Sequence, residues 1–208
     1  ENKQDGGIGF PKKPELPISD IYTNRDDNLN PRYTFDTFIV GPFNELAYAA
    51  SQAVIKKPGK VYNPLFIYGS SGLGKTHLIQ AIGNEIKKNF PEKKVLYTTL
   101  ERFLNEYVTS VQNSRGVPFR EKYRKLDVLI IDDIQFISGK DGTQNELFHL
   151  FNLLYEQEKS IIFSSDKHPN HIIGLEDRLK TRFNAGMTID IQEPDLESRM
   201  AIIKEKVQ

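Results

Sequence analysis

The chain of 208 residues contains no cysteine and no tryptophan. Without thiols it has no disulfide framework, no thiolate nucleophile and no thiolate-ligated metal site. The same absence fits a reducing compartment, and a cytoplasmic location is the expectation. Net charge is absent too, since 28 Lys and Arg stand against 28 Asp and Glu. The overall field therefore draws the chain to no polyanion, and contact with nucleic acid must come from a local patch. No apolar run approaches the roughly 20 residues of a membrane span, which leaves peripheral lipid contact as the only membrane option. No secretory signal pattern is visible. The first residue is Glu1, so the chain reads as a fragment whose native start is unseen.

What is present begins with polar residues. Residues 1–29 are rich in Gly, Pro, Lys and Asp with few apolar anchors, and read as a flexible linker. From residue 30 onward the chain reads as one folded unit. Tyr33, Phe35, Phe38, Ile39 and Val40 cluster before a turn at Gly41-Pro42, and a helix is predicted from Phe43 to Ile55. Strands and helices then alternate. Strands are predicted at Leu65–Tyr68, Lys94–Thr99, Val128–Ile131, Ser160–Ser165 and Met187–Ile191. Between them fall helices to Asn89, over Glu101–Val111, around Phe119–Leu126, over Gln144–Glu158 and over Leu175–Arg182, with another from Leu196. Phe103, Leu104, Tyr107, Val108 and Val111 are expected on one apolar helix face. This βα alternation specifies a parallel sheet between helices, with ligands at the carboxyl ends of the strands.

The strongest signal sits between the first strand and its helix. Gly69-Ser70-Ser71-Gly72-Leu73-Gly74-Lys75-Thr76 reads G-x-x-x-x-G-K-T, a phosphate-binding P-loop. Glycine permits the backbone angles that aim N–H groups at phosphate oxygens, and the helix start adds positive potential. Lys75 is expected on the β- and γ-phosphates and the Thr76 hydroxyl on Mg²⁺. The alternative, a glycine turn followed by a surface lysine, lacks a reason for the strand before it and the helix after it.

Asp132 and Asp133 end the third strand. Paired acids there form a Walker B arrangement, the first orienting Mg²⁺ and the second polarising water. A turn or cap aspartate is the competing reading. Asp166, at the end of the fourth strand, is a candidate sensor of the γ-phosphate or a turn residue before Pro169. Arg178 and Arg182, four apart, share a helix face; they form either a finger on a neighbour's nucleotide or a solvated face paired with Glu176 and Asp177. Arg115, Arg120, Lys122, Arg124 and Lys125 interleave with Phe119 and Tyr123, so this segment either tracks a nucleic-acid backbone or snorkels over a surface helix. His168 and His171 lack a clustered third ligand and read as loop histidines.

Several segments in combination resemble the AAA+ ATPase domain of the bacterial replication initiators, the DnaA family. They are Asn30–Gly41, Tyr62–Gly69 running into Gly72–Leu78, Leu129–Phe136 and Leu175–Phe183. The resemblance covers residues 30–208. It implies an α/β AAA+ fold with a five-stranded sheet in the order 5-1-4-3-2, and Asp166 as the sensor 1 residue. It implies Arg182 as the arginine finger across subunits and Arg178 as an arginine needed for nucleotide-dependent assembly. Residues around Phe38–Val40, with Ile39 and Val40 as the named contacts, are then expected near the adenine, beside the nucleotide contacts of Gly72, Gly74, Lys75 and Thr76. The segment 103–124 matches a helical insertion that holds single-stranded origin DNA, with Val108, Lys140, Arg120 and Lys122 as DNA candidates. Gly142 stands where the family often carries a basic residue. The implied ligands are ATP or ADP with Mg²⁺. The implied partners are further copies in an ATP-dependent filament, origin DNA, and a helicase or regulators reached through domains outside this chain. The implied helical lid and C-terminal duplex-reading domain are not in the sequence, so ATPase activity is expected of the whole protein and weak here. A helicase loader or a DnaA-related regulatory protein is the alternative.

Overall fold

The computed structural model describes residues 27–207. The expected linker therefore lies outside the described residues up to position 26, but its last three residues need correction. Asp27 and Leu29 are buried. The Asp27 carbonyl accepts the Tyr97 N–H at 2.8 Å, and its carboxylate accepts the Leu29 N–H at 2.9 Å and pairs with Lys87. Leu29 fills a hollow made by Gly83, where an added Cβ would approach Leu29 to 2.7 Å. A single leucine among polar residues gave no sign of this, because its partner surface lies more than 50 residues away.

Helix α1 spans Glu45–Lys56, β1 Leu65–Tyr68, α2 Lys75–Asn89, β2 Val95–Thr99, α3 Leu100–Gln112, α4 Gly116–Arg124 and β3 Val128–Asp132. Then come α5 at Asp141–Glu156, β4 at Ser160–Ser165, α6 at Asp177–Phe183, β5 at Met187–Asp190 and α7 at Leu196–Val207. Two 3₁₀ turns, Ile134–Ile137 and Pro169–His171, follow β3 and β4. The elements match expectation in kind and order, with ends displaced by up to three residues. The five strands form one parallel sheet ordered β2-β3-β4-β1-β5. That is the expected 5-1-4-3-2 counted from the other edge, and it puts β4 between the P-loop strand and the acidic strand.

Side chains alternate across the sheet, so each strand serves two cores. Val128 and Ile130 join Leu65, Ile67, Ile162 and Ile189 beneath α1 and α2. Leu129 and Ile131 join Phe66, Ile161 and Phe163 beneath α3 to α6. This two-sided burial is why β3 is apolar at every position before its acid. Each such side chain contributes about 1.5–3 kcal/mol when fully buried.

Helix α3 departs from expectation. Its N-cap Thr99 accepts the Arg102 N–H, and Phe103 is fully buried. Leu104 and Tyr107 are partly packed, but Val108 and Val111 are exposed, at 46% and 57%. The inward stripe is Leu100, Phe103 and Ser110 with half-buried Tyr107 between the last two, and α4 folds back over it. The two valines lie on the flank of that stripe, which no other element covers among the described residues.

Candidate nucleotide-binding site

The site is built where β1, β3 and β4 end. Gly69 N–H donates to the Ser165 carbonyl at 3.2 Å, which ties the start of the P-loop to the end of β4. Gly74 is the N-cap of α2 with φ +88°, a conformation that a side chain would strain. Lys75 is buried, and its ammonium donates to the Gly69 and Ser70 carbonyls at 2.7 and 2.9 Å. Burial pulls the Lys75 ammonium below the usual lysine range, and the charges of Asp133, Asp132 and Asp166 oppose that pull.

Asp132 is 2% exposed and lies opposite the P-loop. Its Oδ2 accepts from Thr76 Oγ1 at 2.7 Å and from the Tyr97 hydroxyl at 2.9 Å. Its Oδ1 accepts from the Asp133 N–H at 3.1 Å and from the Ser164 hydroxyl. Asp133 takes a left-handed conformation, φ +58°, which turns its side chain away from the strand direction and onto the cavity wall. Gln135 then braces two candidates at once: its amide donates to Asp133 Oδ1 at 3.1 Å and its carbonyl oxygen accepts the Asp166 N–H at 3.3 Å.

Beside the P-loop lies a cavity of about 380 Å³. Phe38, Ile39 and Tyr33 form one wall, Ser71 to His77 the floor, and α7 closes one side with Ile202. Asn44 locks the turn that carries Ile39, donating to its carbonyl at 2.9 Å and accepting the Gly41 N–H at 2.9 Å. Of the segment expected near the base, Phe38 and Ile39 line this cavity, whereas Val40 is 42% exposed and does not. His77 packs against Tyr33 and Phe38 with ring centroids 5.0 and 5.2 Å away.

Sequence reasoning gave no role to Tyr97, Ser164, Gln135 or His77. A weak signal existed for Ser164, a hydroxyl following the apolar run of β4. None existed for Tyr97, whose role depends on strand pairing.

The two arginines lie elsewhere. Arg178 donates to Glu176 and, at 3.2 Å, to Asn145 Oδ1, and its guanidinium lies 4.7 Å from the Phe148 ring. Arg182 lies 5.7 Å from the same ring. They share a face, but neither borders the cavity of its own chain. Asp177 pairs with Lys180 instead. The basic segment is largely neutralised. Arg120 makes a two-pronged ion pair with buried Glu146, which raises the guanidinium pKa further. Lys122 reaches Glu106 at 2.6 Å, and Arg124 reaches Glu121. Lys140 stands exposed at the start of α5. The His168 and His171 rings lie 5.7 Å apart, tilted by 53°; among the described residues no cluster of three metal-ligating side chains exists. No helix among the described residues is long and apolar enough to cross a membrane.

A P-loop after β1, an acid at the end of β3 and an extra strand between them define an AAA+ nucleotide-binding fold. The model of the bacterial DnaA ATPase domain matches residues 29–190, and the chain belongs to that family. It is 59% identical over 180 residues to the chromosomal replication initiator protein DnaA of Lachnoclostridium phytofermentans, covering 86% of this chain and 40% of that protein. The chain thus spans well under half of that relative. Domain III of DnaA from Thermotoga maritima superposes with a TM-score of 0.84 at 49% identity, over 86% of this chain and 75% of that one. A replication initiator DnaA bound to AMPPCP and single-stranded DNA superposes with a TM-score of 0.82 at 47% identity, over 87% of this chain and 56% of the other.

Proposed function

We propose that the protein is the ATP-binding core of a replication initiator, in which ATP acts chiefly as an assembly signal and slow hydrolysis as the reset. The observation that carries this reading is the 2.7 Å bond between Thr76 and Asp132. It joins two motifs 56 residues apart into one oxygen-lined site on the edge of the cavity. A triphosphate then lies along the amides of the P-loop, and Lys75 exchanges two backbone carbonyls for phosphate oxygens. The base rests against Phe38 and Ile39. The solved relative that carries AMPPCP supports ATP or ADP as the ligand.

The donor set also fits Mg²⁺: the Thr76 hydroxyl is a hard oxygen ligand, the Asp132 carboxylate behind it supplies negative charge, and no soft donor stands beside them. Bound there, Mg²⁺ supplies charge neutralisation between phosphate oxygens. Asp133 is the residue assigned to polarise water, and Asp166 the residue assigned to sense the γ-phosphate. Arg178 and Arg182 are assigned to the nucleotide of a second copy, which agrees with their distance from the cavity of their own chain. Single-stranded origin DNA is assigned to the flank of α3 and the start of α5, through Val108 and Lys140. Arg120 and Lys122 border that flank within existing ion pairs, so they act on DNA only by exchanging a carboxylate for a phosphate. A helicase and regulators would engage other parts of the intact protein.

Titration of a fluorescent ATP analogue into the intact protein tests the core of this reading. Lys75→Ala removes two charge-assisted bonds to phosphate, about 3 kcal/mol, so affinity falls about 100-fold. Unchanged affinity would overturn the site assignment. Arg182→Ala is expected to keep wild-type ATP affinity and lose ATP-dependent assembly in sedimentation; normal assembly would remove Arg182 from the finger role.

A further inference from the structure

Asp132 has no acceptor capacity to spare. A carboxylate offers about four lone-pair sites. Here Thr76 and Tyr97 occupy Oδ2, and the Ser164 hydroxyl and the Asp133 N–H occupy Oδ1. The carboxylate is therefore clamped on every side by its own chain. The clamp fixes Thr76 in turn, because a hydroxyl has one proton and that proton is committed to Asp132. Its lone pairs are left for the cavity, which Thr76 borders.

Tyr97 is the member of this clamp that no motif supplies. It stands on edge strand β2, in register with Ile130 of β3. Alternation puts Tyr97 and Asp132 on the same face of the sheet, beneath α2. Thr76 and Gln80, four apart, point down from α2 onto that face. Gln80 accepts the Asn30 N–H at 2.8 Å, which ties this face of α2 to the entering chain. The tyrosine backbone is anchored in turn, its N–H donating to the Asp27 carbonyl and its carbonyl accepting from the Asn28 amide.

We infer that Tyr97 is a positioning residue for the cation site: through Asp132 it holds the Thr76 hydroxyl with its lone pairs turned to the cavity. The inference rests on the nucleotide site proposed above. Tyr97 touches neither nucleotide nor cation and acts only through the carboxylate. Removing its hydroxyl vacates one site on Oδ2, and the carboxylate and Thr76 can then turn together.

The test is a Mg²⁺ titration of ATP binding by the intact protein, with Tyr97→Phe and Ser164→Ala beside the wild type. Phe keeps the ring and its packing and loses only the hydroxyl. Tyr97→Phe is expected to raise the Mg²⁺ concentration for half-maximal binding about 5- to 10-fold, with ATP affinity returning close to wild type at saturating Mg²⁺. Ser164→Ala, which opens the opposite side of the clamp, is expected to do the same. Rescue by excess cation is what a merely structural role would not show. A Tyr97→Phe midpoint equal to wild type, or an affinity loss that saturating Mg²⁺ does not restore, overturns the inference. Absence of ATP uptake by the wild type at any Mg²⁺ concentration would instead overturn the nucleotide site itself.

Discussion

The phosphate end of the sheet and the α3–α4 hairpin both carry charged and polar residues, and they hold them by different means. At the phosphate end the key bonds join residues far apart in sequence: Thr76 with Asp132, Tyr97 with Asp132, Asp133 with Ser164. Asp132 and Ser164 at their centre are buried, so a misplaced donor there leaves a desolvated charge. In the hairpin two of the ion pairs, Arg102 with Glu106 and Arg124 with Glu121, are short-range and half-exposed. Such pairs contribute about 0.3–0.5 kcal/mol each. What fixes the hairpin is an aromatic spine, Phe103, Tyr107, Phe119 and Tyr123, with ring centroids 4.8 to 5.6 Å apart. Polar bonding is thus spent on precision at one end. Apolar packing supplies attachment at the other, and the outer flank of α3 stays open for contact.

Breaking the spine gives the largest expected effect. Phe103→Ala removes a fully buried ring and should destabilise the protein by about 3–5 kcal/mol in urea unfolding. A loss below about 1 kcal/mol would mean that the hairpin is held by its ion pairs after all. Arg120→Ala comes next. It leaves the Glu146 carboxylate unpaired at 7% side-chain exposure, but Arg120 itself is 65% exposed, so water offsets part of the loss. About 1–2 kcal/mol is expected, below the 3–5 of a fully buried pair, and the double variant with Glu146→Gln should recover part of it. Val111→Ala should be the smallest, within about 0.5 kcal/mol, because its side chain stands on the uncovered flank. A larger change there would show that the flank is packed in solution.

The two regions also differ in how far they could be read in advance. The P-loop and the paired acids were legible because phosphate and metal chemistry restricts residue type at each step: glycine where the backbone must turn, lysine for charge, hydroxyl and carboxylate for a hard cation. The strand pattern was legible because a doubly covered parallel strand must be apolar at nearly every position. The stripe on α3 was misread. Periodicity listed five apolar residues as one face, yet only the direction from which α4 arrives decides that Phe103 and Tyr107 are inside and Val108 and Val111 outside. Arg120 looked like one more surface cation, and only the approach of α5 reveals Glu146 beside it.

The strand order was implied only by the family resemblance; local chemistry along the chain determined the class of fold, the phosphate loop and the acids that face it. Those features depend on residues that are neighbours in sequence or repeat with the period of a helix or strand. Tertiary structure alone decided that Leu29 seals the hollow over Gly83, that Phe38 and Ile39 but not Val40 line the cavity, and that Tyr97, Ser164 and Gln135 brace the acids. Each of these is a contact between elements tens of residues apart. A hydroxyl or a leucine has the same local propensity whether or not such a partner exists, so only the packing of the sheet could reveal it.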